Sequence, residues 1–314
     1  MTPEERIERR KYLGASEVAA VLGMDPFKGP HDIWAEKMGL LGEAHEESEA
    51  AELGKLLEAP ILKRYAVRNG AQLWTPGSMV SRTLPWARAT PDALDGNDCI
   101  DIYALSHPHN IQVKLVGARM LHHWESGVPD YVKLQVQWEM MVVGEHFPGC
   151  TESKVVALLG GTEYREFDVP RDDGVIDALR EVCGEWWTRH IVGGEMPTTD
   201  GSEACKAALS AKFKQSVGIE EPDSVVAALI RQYDDARQKE SQWKTSKEAA
   251  GNALRALIGD REGFKGSGCS ALWKFDATGK PRWKDIALAA GASEELIKQH
   301  TGAPERVLRV SVKT

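Results

Sequence analysis

Between residues 72 and 116 the chain breaks into short apolar runs: Gln72–Thr75, Met79–Thr83, Trp86–Thr90, Cys99–Ala104 and Asn110–Val116, each bounded by Pro, Gly, Asp or Asn. This punctuation predicts consecutive strands, arranged as a meander. On either side the periodicity is helical. Glu46–Asn69 carries Leu53, Leu57, Ile61 and Tyr65 at helical spacing, with Gly70 placed to end the helix and Pro60 placed to kink or split it. Tyr131–Val143 reads as a helix ended by Gly144, Lys154–Leu159 and Glu163–Val169 as a hairpin about Gly160-Gly161, and 171–192 as a helix that packs through Trp186 and Trp187 with one ring half-exposed. Strands enclosed by helices predict an α/β fold.

The two ends differ in texture. The N-terminus predicts a basic helical start from Glu5 to Lys11, a break at Gly14, and a short helix capped by Ser16 with Val18, Val21 and Leu22 behind it. Pro30 opens a further helix, His31 to Met38, which Gly39 ends. Gly193-Gly194 and the stretch from Met196 to Ser202 form the clearest linker signal. They divide the chain into a domain over 1–200 and an extension over 201–314. The extension predicts a long polar helix over 221–258, strands at Ser270–Phe275 and Arg306–Val312, and a short helix at Asp285–Leu288.

Composition narrows the classes. The 314 residues fit one large domain or two modest ones. No apolar run approaches the ~18 residues of a membrane helix, and the charged start MTPEERIERRKYLG lacks the apolar region of a secretory signal. The five cysteines are scattered without a CxxC pair, so neither a disulfide framework nor a zinc site is suggested, and a reducing cytoplasm is expected. A net charge of −8 argues against a uniformly basic surface but leaves room for a local basic groove.

The chemistry concentrates in the strand region. Asp92 follows one strand in Ala89-Thr-Pro-Asp92, and twenty residues on another strand reads Ile111-Gln112-Val113-Lys114. Residues two apart on a strand share a face, so positions 112 and 114 converge beside an aspartate from the neighbouring strand. An acid on one strand and acid-x-Lys on the next is the pattern of metal-dependent nucleases. Two acids hold Mg²⁺ through hard oxygens, and a lysine helps activate or position water. Alone, the pattern is short enough to arise by chance.

Its surroundings make it specific. Lys11-Tyr-Leu-Gly-Ala-Ser-Glu-Val-Ala-Ala-Val-Leu-Gly23, Asp25-Pro-Phe27 and Trp34-Ala-Glu-Lys-Met-Gly39 resemble the N-terminal signature of the YqaJ-like viral recombinase family, the lambda-exonuclease type within the PD-(D/E)XK nuclease superfamily. Leu53-Gly-Lys-Leu-Leu-Glu58 resembles the family's G-x-x-x-E helix, Ala89-Thr-Pro-Asp-Ala93 its A-x-P-D-G, and Leu134-Gln-Val-Gln-Trp138 its closing Q-V-Q helix. The resemblance covers about 1–145 and fades through about 200. It implies a restriction-endonuclease-like core, a mixed sheet flanked by helices, followed by a helical and β C-terminal extension.

Two positions depart from the family pattern. Ala93 stands for a glycine, and Gln112 stands where the family has glutamate. An amide oxygen can ligate a metal but carries no charge, and hard cations favour carboxylates. An engineered inactivation, a natural variant with a shifted ligand set and a natural non-cleaving member all account for Gln112. Asp101 is an alternative second acid, although position 103 then offers Tyr rather than Lys.

By resemblance, Asp92, Gln112 and Glu58 form the metal set, with Lys114 and Gln135 completing the catalytic group. Glu58 would otherwise be a solvated helix charge and Gln135 a surface amide. Gln137 lies about 200° around the helix from Gln135 and is not selected. Ser16 and one of Arg9 and Arg10 resemble a pocket for a DNA 5′-phosphate, since a helix N-terminus and an arginine both favour anions. His122-His123 and His107/His109 lack a third ligand at metal spacing. The implied activity is Mg²⁺-dependent 5′-to-3′ resection of linear double-stranded DNA, with Mn²⁺ able to substitute. A homotrimeric ring and a single-strand annealing partner are implied, in a bacterial cytoplasm and encoded by a phage or prophage. Gln112 motivates a second reading, a non-catalytic DNA-end-binding protein on the same scaffold. The acidic balance and the long polar helix motivate a third, a protein-interaction scaffold.

Overall fold

The computed structural model describes residues 3–40, 49–96, 108–215, 218–266 and 269–273, with 291 and 293. The sequence-predicted strands Cys99–Ala104 and Arg306–Val312, the helix Asp285–Leu288, and Asp101 and His107 lie outside these residues. Two compact units are present, residues 1–213 and 214–314.

In the first unit, helix α1 (Pro3–Arg10) leads into strand β1 (Leu13–Gly14) and a 3-10 turn (Ala15–Glu17) that continues as α2 (Val18–Val21). Helices α3 (Pro30–Lys37) and α4 (Glu49–Asn69) follow, then strands β2 (Leu73–Trp74), β3 (Met79–Val80), β4 (Ala87–Ala89), β5 (Ala93–Asp95) and β6 (His109–Val116). A 3-10 segment (Ala118–Trp124) precedes α5 (Asp130–His146), β7 (Glu152–Leu159), β8 (Glu163–Pro170) and α6 (Asp173–Trp186). A π-helical stretch, Trp187–Val192, and helix α7 (Glu203–Lys212) complete the unit.

The fold is α/β, with a mixed five-stranded sheet in the order β2-β5-β6-β7-β8. The meander expectation is corrected: β3 and β4 leave this sheet and join β1 in a second one, ordered β1-β4-β3. The cause is a parallel pairing, Leu13↔Ala87, that recruits the N-terminal strand. Strand β6 pairs parallel with β7, which demands a crossover, and α5 lies between them in sequence. The hairpin β7–β8 turns over residues 160–162, with Gly160 and Gly161 both at positive φ (58° and 80°), a conformation open to glycine without strain.

Helix α5 is the hub. Val136, Trp138, Met140, Met141, Val142 and Val143 are all buried, so the helix is enclosed on every side. Gly144 does not end it. A Cβ there would stand 2.9 Å from Arg171 Nη1, and that guanidinium donates to the Met140 carbonyl at 2.5 Å; the glycine makes room for the arginine. Helix α4 likewise runs unbroken through Pro60, whose exposed position leaves the orphaned carbonyl to solvent. Only its later turns are covered: Ile61 and Tyr65 are buried while Leu53 is exposed. Trp86 stacks on Trp187 at 5.6 Å, in keeping with a packing role, but Trp186 and Trp187 are both buried, which corrects the expectation of one half-exposed ring.

The linker expectation meets a further helix beyond it. Helix α7, unread in the sequence, packs on α3 and lies within the first unit, which ends at Phe213. The second unit contains the long helix α8 (Ser224–Ile258), capped by Asp223 accepting from Val226 N at 2.8 Å, and the hairpin β9 (Gly263–Gly266) and β10 (Cys269–Leu272). Among the described residues no helix is long and apolar enough to cross a membrane.

Candidate active site

Strand alternation puts Asn110, Gln112 and Lys114 on one face of β6. Ile111 and Val113 face the other way, into a cluster with Ala93 and with Ile61 and Tyr65 of α4. Asp92 immediately precedes β5, which pairs antiparallel with β6 through Ala93↔Ile111. Its Oδ2 accepts from Val113 N at 2.7 Å and from Gln112 Nε2 at 2.5 Å.

Helix α5 supplies the opposite wall. Gln135 Oε1 accepts from Lys114 Nζ at 2.7 Å, and Gln135 Nε2 donates to Gln112 Oε1 at 2.9 Å and to Glu139 Oε1 at 2.8 Å. Glu139, one turn beyond Gln135, is fully buried and also accepts from Asn110 Nδ2 at 2.8 Å. Asp92, Gln112, Gln135, Lys114 and Glu139 are thus one hydrogen-bonded group. Gln137 points elsewhere, donating to the Pro170 carbonyl at 2.7 Å and accepting from Asp172 N at 2.9 Å. Glu139 was missed in the sequence; its signal was the spacing of four residues from Gln135, which sets the two on one helix face.

The electrostatics are those of buried acids. Asp92 is pushed up to about 7, chiefly by burial and then by the negative charge of Glu139, with the Val113 N–H opposing and Glu58 adding to the rise. Burial also pushes Glu139 up to about 7, eased by its bonds to Asn110 and Gln135. Glu58 on α4 is half-buried and raised by burial. Lys114 is lowered by burial, against the attraction of Glu139, Asp92 and Asp25. Both raised carboxyls hold protons more tightly folded than unfolded. Their contribution to stability is therefore present at low pH and lost as pH rises from about 4.5 toward 7. In metal-free protein, Glu139→Gln should flatten the fall of thermal midpoint across that window; parallel curves for the two proteins would contradict the assignment.

The group opens on a cavity of about 280 Å³ whose lining includes Arg9, Tyr12, Ser16, Lys37, Arg88, Gln135 and Glu139. Glu17 organises its floor. Its Oε2 lies 2.7 Å from Lys37 Nζ and accepts from Gly14 N at 2.8 Å, and its Oε1 lies 3.3 Å from Arg9 Nη2. The Arg88 guanidinium sits 5.3 Å over the Tyr12 ring and bonds Ser78 Oγ. One expectation is corrected here and one open choice is narrowed. Ser16 is not a helix cap: Gly14 holds that position, and Ser16 is an exposed member of the 3-10 turn. Arg10 turns away to pack at Gly39, where a Cβ would stand 2.8 Å from its Nη1, so Arg9 is the arginine of the pair that lines the cavity. Arg88, Tyr12 and Lys37 carried no local signal, because the pairing Gly14↔Arg88 and the packing of α1 on α3 bring them in.

His122 and His123 are exposed on the 3-10 segment, away from this group.

Residues 7–146 match the YqaJ-like viral recombinase domain. The chain is 26% identical over 272 residues to the uncharacterized protein YqaJ of Bacillus subtilis (strain 168), covering 85% of this chain and 82% of that one. Among solved structures it is similar to an alkaline exonuclease, LHK-Exo, from Laribacter hongkongensis (19% identity, TM-score 0.47, 60% of this chain and 93% of that one). It is also similar to a phage-related exonuclease from Haemophilus somnus 129PT (12% identity, TM-score 0.42, 59% and 96%). Over residues 7–146, this chain is similar to the YqaJ-like viral recombinase domain.

Proposed function

We propose that this chain is a Mg²⁺-dependent exonuclease that resects linear double-stranded DNA from the 5′ end, slowed by Gln112. The supporting observation is one hydrogen-bonded group, Asp92–Gln112–Gln135–Lys114 with Glu139, opening on a cavity that Arg9 and Arg88 line.

The donor set fits a hard divalent cation. Asp92, Glu139 and Glu58 are oxygen donors whose carboxyls are all raised chiefly by burial, so that a cation beside them would favour their charged forms. Asp92 would hold Mg²⁺ or Mn²⁺ together with the Gln112 amide oxygen, once that amide turns, and Glu58 would reach it directly or through water. When bound, the ion supplies Lewis-acid stabilisation of charge developing on the phosphoryl oxygens.

The chain's own groups do the rest. Arg9 and Arg88 grip the terminal phosphate by charge-assisted bonds, with the Ser16 hydroxyl as a further donor. Gln135 holds Lys114 Nζ against the face that carries Gln112, so that the ammonium meets the attacked phosphate or the attacking water. Water oxygen attacks the phosphorus between the first and second nucleotides, and the P–O bond to the 3′-oxygen of the first nucleotide breaks. The water proton leaves to a carboxylate or to solvent, and the departing 3′-oxygen takes a proton from solvent, which leaves a 5′-phosphate on the new end. The family resemblance adds a homotrimeric ring and a single-strand annealing partner to the proposal.

A second reading follows from the amide. Gln112 Nε2 donates to Asp92 and closes the gap between them without a cation, which suits a DNA-end-binding protein that does not cleave.

The test is digestion of end-labelled DNA with and without Mg²⁺. Linear duplex should be shortened and covalently closed circles left intact. Ends with 5′-phosphate should be processed about tenfold faster than 5′-hydroxyl ends, the equivalent of one charge-assisted contact of about 1.4 kcal/mol. Equal rates on the two ends would remove the Arg9–Arg88 cavity from the reading. Salt-sensitive end binding without any cleavage would favour the second reading.

A further inference from the structure

We propose that His31, Asp200 and Cys205 form a second metal site, for a zinc-like transition metal ion, apart from the candidate active site. His31 stands in the first turn of α3, Cys205 in the first turn of α7, and Asp200 in the segment joining the π-helical stretch to α7. One ligand atom from each lies within 4.8 Å of the other two.

The His31 ring makes the case. It is 1% exposed, and neither nitrogen has a hydrogen-bond partner among the described residues. Nδ1 stands 3.4 Å from Asp200 Oδ2, at contact distance but without hydrogen-bond geometry. Nε2 has no hydrogen-bond partner among the described residues and Nδ1 has only this ion-pair contact; a buried imidazole so poorly matched is costly, and a metal removes that cost at one of the two nitrogens. The neighbours are prepared for it. Cys205 is 1% exposed. Asp200 is aimed by its other oxygen, Oδ1, which accepts from Ser202 N at 2.9 Å and from Ser202 Oγ at 2.5 Å. Oriented ligands of this kind are what outer-shell bonds provide at metal sites.

The ligand types select the ion. Nitrogen, sulfur and carboxylate oxygen suit Zn²⁺, whereas Mg²⁺ and Ca²⁺ take oxygen alone. Three protein ligands leave the fourth tetrahedral position to water. Zn–ligand lengths of about 2.0–2.3 Å require the three atoms to draw together somewhat; the side chain of Asp200 is 49% exposed, so rotating its free oxygen inward displaces no packed neighbour. The bound ion would clamp α7 and the preceding segment onto α3, the helix that carries Lys37 to the candidate active site. No CxxC spacing advertises the site, because its ligands come from three separate stretches of chain.

The experiment uses the full-length protein, stripped by chelation and titrated with Co²⁺ and then Zn²⁺. One equivalent of Co²⁺ should produce a sulfur-to-cobalt charge-transfer band that Zn²⁺ displaces, and Zn²⁺ should raise the thermal midpoint. Cobalt held by the carboxylates of the candidate active site gives no such band, so the two sites are told apart. Cys205→Ser should abolish the band. Asp200→Asn, at an exposed position that leaves the core untouched, should weaken Zn²⁺ binding by about 10–100-fold. Absence of the band at saturating Co²⁺, its persistence in Cys205→Ser, or unchanged Zn²⁺ affinity in Asp200→Asn would each overturn the proposal.

Discussion

Gln112→Glu is expected to raise Mg²⁺-dependent digestion of linear duplex DNA by about 100-fold or more, equivalent to about 2.7 kcal/mol of barrier. The physical reason is local. Gln112 Nε2 sits 2.5 Å from Asp92 Oδ2 and donates to it. A carboxylate in its place turns that attraction into repulsion between like charges, in a pocket that already holds Glu139 and Glu58. At an effective dielectric of 20, two unit charges 4 Å apart interact by about 4 kcal/mol, so a divalent cation becomes the favourable way to hold the acids together. Metal-free Gln112→Glu should therefore unfold at lower temperature than the parent chain, and Ca²⁺ should restore it. Lys114→Ala in the Gln112→Glu background should abolish the gained activity while leaving Ca²⁺ stabilisation in place. If the parent chain already digests DNA vigorously and Gln112→Glu changes the rate by less than about threefold (under 1 kcal/mol), the charge at position 112 is not limiting. Glu139 then becomes the acid to test.

Glu17→Ala should cost about 3–5 kcal/mol of stability, the usual penalty for stranding one partner of a buried ion pair. The side chains of Lys37 and Glu17 are 1% and 4% exposed and lie 2.7 Å apart. The same carboxylate accepts from Gly14 N and faces Arg9 Nη2, so its removal strands a cation and a backbone donor together. Urea denaturation is the measurement, read as a fall in midpoint at unchanged slope. A loss below about 1 kcal/mol, the range of exposed pairs, would mean that Lys37 escapes to solvent and that the cavity floor is not held by Glu17. Glu17→Ala should also blur the preference for 5′-phosphate ends, because Arg9 loses the group that holds it beside the cavity.

The candidate site was legible in proportion to how local its geometry is. Period-two alternation alone puts positions 112 and 114 on one strand face, and that is where the structure has them. Gln135 and Gln137 were separable by helical rotation; one meets Lys114 and the other the Pro170 carbonyl. Glu139 obeys the same helical rule and was passed over because an acid inside an apolar run gives no sign of its partners. Arg88 and Tyr12 obey no local rule. They meet because β1 pairs parallel with β4, across a separation that periodicity cannot span.

The sequence by itself determined most element types in the first 186 residues, the face on which Gln112 and Lys114 lie, and the order of the motifs, since each is written in the spacing of neighbouring residues. Only the tertiary structure decided which strands share a sheet. It also decided that Pro60 and Gly144 sit inside helices, that Arg9 rather than Arg10 lines the cavity, and that His31, Asp200 and Cys205 meet. Each of these depends on what stands opposite a residue once the chain has folded back on itself. An exposed carbonyl excuses a proline, an incoming guanidinium explains a glycine, and a helix beyond the linker brings a cysteine to a buried histidine.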